Sequence, residues 1–350
     1  MTRPGTAADA SAAKIRGDLP MHQRLSNKLG FRRHRHAYEG VFMSQPLHLP
    51  LAQSAIDRDY LLREEPEIIS KLLDDSATRI LPIHRGKVLL NGQALRLATR
   101  AQITTPELLV YLGKSSEASA DEPVGTPLLL AVVDDANARA LEPDEDNWHV
   151  LRRSGFGLSA RDAGMYVQAL SIANWHVSNK FCPTCGAETV VAKAGWTRKC
   201  VRDEKELYPR TDPAVIVSML DDNDRILLGS QGVWEENRWS VLAGYVEPGE
   251  SLNASVEREM FEEAGVRVTD IEYLGSQGWP YPHSLMLAFT ARVRGDQKHL
   301  ADGIEIAKLR WFSREDIANE KDSMLLPGPL TIARSMIEQW YGKPIDAASN

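Results

Sequence analysis

The chain has 350 residues, 43% of them apolar, which is enough for two domains with sizeable cores. Its formal net charge of −7 gives no global basic field to attract nucleic acid or acidic membrane surface. An acidic protein that acts on phosphate anions needs a bound cation for countercharge, and the lack of any apolar run of about 18 residues argues against a membrane span.

Taken in chain order, residues 1–18 are rich in Ala, Thr, Gly and Ser and lack the apolar centre of a secretory signal. They read as part of a disordered tail over 1–24. Residues 25–175 read as an N-terminal domain of mixed α/β structure. Strands are predicted at 108–112 and 127–134, with an exposed loop at 115–125 between them. Apolar residues at helical spacing (Met165, Leu170, Ile172, Ala173) predict a helix over 159–175. The basic cluster Arg32-Arg33-His34-Arg35-His36 reads as a solvated surface patch.

Residues 176–212 form a short polar module around three cysteines. Beyond it, 213–342 reads as an α+β domain, a mixed sheet carrying helices on its faces, with a tail over 343–350. Strands at 214–220 and 225–229 flank a turn at 221–224. A strand at 239–246, a helix at 250–264, strands at 284–291 and 309–312, and a closing helix at 332–341 follow. Trp175 and Trp311 are expected in the core. The sequence contains no fixed-period repeat, P-loop, dinucleotide-binding glycine fingerprint or Ser-His-Asp arrangement.

Three cysteines make an odd count, and Cys182 and Cys185 have two residues between them. That spacing suits a metal knuckle in a reducing compartment, with a cytoplasmic location as the default. Cys200 begins a second knuckle, but the residue three later is Asp203. Aspartate binds zinc through oxygen, so a structural Zn2+ on Cys182, Cys185, Cys200 and Asp203 is expected. The alternative is a module that has lost its metal and is held by packing.

The chemistry concentrates in Gly244-Tyr-Val-Glu-Pro-Gly-Glu250 and Arg258-Glu259-Met-Phe-Glu262-Glu263-Ala-Gly265-Val266. Glycines and Pro248 shape a tight loop, and Gly265 is placed to end the helix. Glu259 and Glu263 stand four apart and share a face; Glu262 borders it. That face also carries Leu252 and Val256, whereas an ordinary solvated acidic face would lie opposite such residues. Carboxylates beside apolar positions are costly unless paired or bound to metal. Mg2+ and Mn2+ take oxygen ligands of this kind and share them with substrate phosphates.

This segment matches the signature box of the Nudix hydrolases at every defining position: Gly244, Glu250, Arg258-Glu259, apolar Met260, Glu262-Glu263, Gly265 and apolar Val266. The resemblance implies an α/β/α sandwich. It implies Glu259 and Glu263 as the main ligands of Mg2+ or Mn2+, with the Ala243 carbonyl and Glu305 completing the set. It pairs Glu250 with Arg258 to hold the loop, and leaves Glu262 or Glu263 to help activate water.

Downstream stands Ser276-Gln277-Gly278-Trp279-Pro280-Tyr281-Pro282-His283-Ser284. Two aromatics held by prolines make a stiff surface that can stack a flat ring, with Ser276, Gln277 and Ser284 to supply hydrogen bonds; the alternative is a rigid connection packed in the core. The segment resembles the substrate array of the NADH pyrophosphatase branch of the Nudix hydrolases. The order of N-terminal domain, zinc-ribbon-like module and Nudix domain is similar too. The resemblance assigns residues 277–284 to the substrate site, with Trp279 and Tyr281 shaping a nicotinamide-nucleotide pocket. Tyr208 and Ala333 match further lining positions, and a homodimer is implied. Gly278 stands for the usual proline, and is expected to loosen the loop; Tyr281 stands for phenylalanine and keeps a ring. The implied activity is metal-dependent hydrolysis of the diphosphate bond of NADH or NAD+ to a nicotinamide mononucleotide and AMP. The alternatives are removal of an NAD cap from RNA 5′ ends, a Nudix hydrolase for ADP-ribose or another nucleotide, and a non-catalytic nucleotide-sensing protein.

Overall fold

The computed structural model describes residues 47, 49–52, 54–119 and 122–346. The readings made for the tails at 1–24 and 347–350, for residues 25–46 of the N-terminal domain and for the basic cluster at 32–36 lie outside them.

The first part contains β1 (Ile56–Asp57), α1 (Ile68–Asp74), β2 (Arg79–Ile83), β3 (Lys87–Asn91), β4 (Ala94–Leu95), β5 (Leu108–Ser115), β6 (Pro127–Val132), α2 (Asp135–Leu141), β7 (Trp148–Val150), α3 (Leu151–Ser154) and α4 (Ala160–Ser178). One sheet runs β1-β5-β6-β2, in which β5 and β6 are antiparallel and β2 joins β6 in parallel. The apolar run of β6 is buried on both faces, as strands covered on two sides are. Leu81, Val110 and Leu130 meet α4 on one face, while Ile80, Tyr111 and Leu129 meet α1 and α2 on the other. The helix α4 starts where Ser159 Oγ accepts the Asp162 amide at 3.2 Å. Its buried charges are paired: Arg161 binds Asp162 and Glu122, and Asp162 accepts the Leu95 amide at 2.8 Å.

The cysteine module is a three-stranded antiparallel ribbon of β8 (Thr189–Ala192), β9 (Thr197–Cys200) and β10 (Glu206–Leu207). Buried His176, near the end of α4, fastens it. Its Nε2 donates to the Gly195 carbonyl at 2.8 Å, and Nδ1 accepts from Arg198 at 3.0 Å. Burial lowers the His176 pKa to about 4, so the ring stays neutral and keeps both bonds near neutral pH.

The last part contains β11 (Asp212–Leu220), β12 (Ile226–Gln231), β13 (Leu242–Tyr245), α5 (Leu252–Ala264), β14 (Val268–Trp279), β15 (Ser284–Val293), β16 (Ile306–Phe312), α6 (Arg314–Glu320) and α7 (Ile332–Tyr341). The sheet order is β14-β15-β11-β12-β16, with β13 also on β11. Alternation along β11 divides the core. Val215 and Val217 point to α5 with Val256 and Met260, and Ile216 points to α7 with Met336 and Ile337. Helices on both faces of a mixed sheet make the α/β/α sandwich that the box implies. No helix among the described residues is long and apolar enough to cross a membrane.

Two readings need correction. The strand β14 was not foreseen. It is an edge strand with register irregularities at Thr269/Glu272 and Tyr273/Gly275, so its apolar residues do not alternate cleanly. The carboxylate helix also begins later than Glu250, because Ser251 caps it through the Ala254 amide at 3.2 Å.

Candidate active site

The helix α5 turns Glu259 and Glu263 towards β13. Arg258 is the hub that holds the surrounding loop. It donates to both oxygens of Glu250 at 2.6 and 2.9 Å, to Glu259 and Glu262 at 2.9 Å each, and to the Tyr245 carbonyl at 2.9 Å. Glu250 in turn accepts the Glu247 amide at 2.9 Å. The Arg258 guanidinium, with that amide, holds the Glu250 pKa down to about 2, so the clamp stays charged across the working pH range.

Glu263 is in the opposite condition. It is 5% exposed, and its Oε2 has no hydrogen-bond partner among the described residues. Burial, then the charges of Glu259, Glu305 and Asp302, push its pKa up to about 8. Burial raises Glu259 as well, against the pull of Arg258. Glu305 comes from a loop tied by Asp302, whose Oδ1 accepts the amides of Ile304, Glu305 and Ile306 at 3.1, 3.2 and 2.8 Å. Gly244 leaves room for the cluster: a Cβ built on it would lie 2.0–2.2 Å from the Glu259 carboxylate atoms. The negative charges of these carboxylates act on one unpartnered buried oxygen, and a hard divalent cation there would offset both the repulsion and the burial cost.

Glu263 and Ala243 stand at the wall of a cavity of about 390 Å³ that also reaches Gln277, Trp279 and Ala333. The structure therefore brings these three substrate-array positions to the carboxylates. It does not bring the others. Tyr208 is 62% exposed on the ribbon and donates to Glu206 at 2.7 Å. The Pro280 and Pro282 carbonyls accept from Asn174 at 3.0 and 3.2 Å. His283 pairs with Asp212 at 3.0 Å, and buried Ser284 faces the Tyr245 hydroxyl at 3.2 Å.

Two expectations for the array are corrected. Gln277, 1% exposed, has both ends of its amide engaged within the protein: Nε2 donates to the Leu330 carbonyl at 2.9 Å and Oε1 accepts the Ile332 amide at 2.8 Å. It positions the start of α7 and borders the cavity only as a wall. Gly278 loosens no loop, because it lies inside β14 opposite Leu285, where a Cβ would meet Val167 of α4 at 3.3 Å.

The structure adds Arg152, from α3 of the first part, to the cavity wall. Its guanidinium lies 5.2 Å from the Trp279 ring centroid and 4.1 Å from that of Tyr281. Nothing in the local sequence singles it out. Only the packing of Trp279 and Tyr281 against the first part's core brings it there.

In the ribbon, ligand atoms of Cys182, Cys185, Cys200 and Asp203 all lie within 4.8 Å of one another. Amides of Cys185 and Thr184 hold the Cys182 thiol below its ordinary pKa, and the Arg202 amide points at Cys200 Sγ at 3.4 Å. Both knuckles thus keep their turn geometry although the second lacks its cysteine. Asp203 Oδ1 accepts the Lys205 amide at 3.1 Å, and Oδ2 faces Cys182 Sγ at 3.8 Å. Three sulfurs and one carboxylate oxygen fit a tetrahedral structural zinc. Purified protein is expected to carry about one zinc per chain, and Asp203→Ala to lose it to a chelator far faster; equal retention by metal analysis would remove Asp203 from the ligand set.

Comparison with known proteins agrees with this geometry. Residues 210–330 match the family model of the NUDIX domain, 178–208 that of the NADH pyrophosphatase zinc ribbon domain, and 77–175 that of the NADH pyrophosphatase-like rudimentary NUDIX domain. The chain is 36% identical over 276 residues to the NAD-capped RNA hydrolase NudC of Mycobacterium tuberculosis, spanning 76% of this chain and 84% of that one. It is 34% identical over 202 residues to the human NAD-capped RNA hydrolase NUDT12, spanning 52% of this chain and 42% of that one. A solved NUDIX hydrolase from Nitrosomonas europaea aligns with 49% of this chain and 97% of its own, at 23% identity and a TM-score of 0.36. An intact box gathered around one buried carboxylate, a matching zinc ribbon and relatedness over most of a NudC chain lead to one conclusion: the chain is a Nudix hydrolase of the NADH pyrophosphatase branch.

Proposed function

We propose that this enzyme hydrolyses the diphosphate bond of NADH and NAD+, releasing a nicotinamide mononucleotide and AMP. The observation that carries the reading is buried Glu263, its Oε2 unpartnered, at the wall of a cavity that also reaches Trp279 and Arg152. Glu259, Glu263, Glu305 and the Ala243 carbonyl would hold Mg2+ or Mn2+, which supplies charge neutralisation and Lewis-acid polarisation of the diphosphate. Arg258 and Glu250 keep the loop and Glu259 in place. Glu262, tied to Arg258 through one oxygen, or Glu263 would take the proton from the attacking water. Water adds to one phosphorus, the bridging P–O bond breaks, and one nucleotide leaves on each side. Trp279 presents its ring at the cavity wall, backed by the Tyr281 ring at 5.1 Å, and Ala333 at the start of α7 lines the same cavity. The test is chromatography of NADH incubated with the protein and Mn2+. AMP as a product supports the reading; its absence overturns it, and faster cleavage of ADP-ribose than of NADH moves the substrate assignment there.

The names of the relatives support a second substrate, RNA carrying a 5′ NAD cap. It presents the same bond to the same carboxylates. Cap release that falls only weakly with salt would match an acidic chain that grips the cap alone. The intact glutamates weigh against a purely sensing role.

Arg152 is proposed as a substrate-binding cation. Arg152→Ala is expected to raise KM for NADH about tenfold with kcat within roughly twofold, because a charge-assisted contact of this kind adds binding in ground and transition state alike. An unchanged KM would return Arg152 to a packing role. We also propose the division into domains at 25–175, 176–212 and 213–342, which the three family-model spans support. A cytoplasmic location is supported by three cysteines free of disulfides. The homodimer implied by the resemblance is checked by sedimentation of the full chain.

A further inference from the structure

We propose that Trp234 and Arg238 form a second ring-recognition face of the cavity, which holds one nucleoside half of the dinucleotide while the Trp279–Arg152 face holds the other. This rests on the dinucleotide reading above and adds the residues that bind the second half.

The sheet order places the two faces. Trp279 ends β14, at one edge of the sheet. Trp234 follows β12, separated from β14 by β15 and β11. Towards the cavity β11 pairs β13 over Ala214–Val217, and the segment entering β13 bridges β12 at Ser240–Gly229. Glu263 and Ala243, beside β11, line the same cavity between them. A dinucleotide is two flat rings at the ends of a diphosphate, so a bond held at the carboxylates sends one ring to each side. Gln231 opposite Ile306 also puts the Trp234 loop next to Glu305.

The second face has the chemistry of the first. Trp234 is half-buried at the cavity wall, and the Arg238 guanidinium lies 5.9 Å from its ring centroid. Arg238 Nε lies 3.1 Å from Glu235 Oε2 as an ion pair, and among the described residues this buried nitrogen has no hydrogen-bond partner. The loop is fixed before any ligand arrives. Asn237, in a left-handed conformation, donates to the Ser323 carbonyl at 2.7 Å and accepts Trp239 Nε1 at 2.9 Å. Its own carbonyl accepts the Leu325 amide at 2.9 Å, and the Trp239 amide returns to the Leu325 carbonyl at 2.9 Å. A platform held in this way costs little ordering on binding. Core packing alone would not require an aromatic ring with a cation beside it at the wall of an open cavity.

The test uses the full-length protein with Mn2+ and the two half-products, nicotinamide mononucleotide and AMP, titrated separately by calorimetry. Trp234→Ala is expected to weaken one of them about tenfold and leave the other within twofold, with Trp234→Phe restoring most of the loss. Loss on the nicotinamide mononucleotide arm assigns the face to nicotinamide, and loss on the AMP arm assigns it to adenine. In turnover, KM for NADH should rise about tenfold with kcat nearly unchanged. Unchanged affinity for both half-products, with KM unchanged, overturns the proposal. Should Trp234→Ala melt early, Arg238→Gln is read in the same two arms with the same outcomes. Failure of the wild type to release AMP from NADH would instead strike the dinucleotide reading, and the titrations would still report on the face.

Discussion

Glu263→Gln is expected to lower AMP release from NADH by about 10³-fold, and at the same time to raise the melting temperature of the chelator-treated protein at pH 8. The two effects share one cause. Glu263 is buried with an oxygen that nothing among the described residues satisfies, and four other carboxylates, Glu259, Glu305, Asp302 and Glu262, raise its pKa further. Its ordinary value is 4.5 and its folded value about 8. Between those pH values the folded chain keeps a proton that the unfolded chain has released. Stability contributed by this group is therefore present below about pH 4.5 and falls as pH rises towards about 8. Glutamine cannot ionise, so it removes that loss, and wild type and variant should melt alike near pH 4 and diverge at pH 8. Added Mn2+ should close the gap by stabilising only the wild type. A variant that keeps its activity would displace Glu263 from the reaction; one that loses activity but melts earlier at pH 8 would show that the carboxylate is satisfied by something else.

The carboxylate helix was legible because its cues are local. The period of 3.6 residues puts Glu259 and Glu263 on one face and Gly265 closes the helix, while the Glu250–Arg258 pair, implied by the box, joins the helix to the loop before its Ser251 cap. The closing helix was equally plain, since its apolar spacing runs without interruption over Ile332–Tyr341. What stayed hidden depends on distant contacts. Gln277 looked like a hydrogen bonder for substrate until Leu330 and Ile332 were seen to occupy both ends of its amide. Arg152 is one of two adjacent arginines with no pattern around it, and reaches the cavity only because the two parts of the chain pack together at Trp279 and Tyr281. The edge strand β14 lacks the clean alternation of a strand with one buried face, so it could not be read from pattern. Asp203 was legible as a position, from knuckle spacing, but only the fold shows one of its oxygens tied to Lys205 and the other turned to the sulfurs.

Gly244→Ala separates fold from chemistry more sharply than any carboxylate substitution. The residue stands in β13 opposite Val215, and its φ is not in the left-handed region, so alanine imposes no backbone strain there. The three atoms nearest the new Cβ all belong to the Glu259 carboxylate, at 2.0–2.2 Å. A carboxylate is the mobile end of a flexible side chain, so it swings away and the strand stays. Glu259 then leaves both the cluster and its 2.9 Å bond from Arg258. Displacement of a reacting group by about 1 Å costs on the order of 10²-fold in rate, and a similar loss in kcat with weakened Mn2+ affinity is expected, at a nearly unchanged melting temperature. Gly249→Ala is the informative contrast. Gly249 has φ +95° and nothing within 4 Å of an added Cβ, so its substitution strains the loop by roughly 1 kcal/mol without touching a carboxylate. It should lower the melting temperature more than Gly244→Ala and the rate far less. If the two variants change in the same proportion, the glycine of β13 is there for the backbone; if they part as described, it is there to leave room for Glu259.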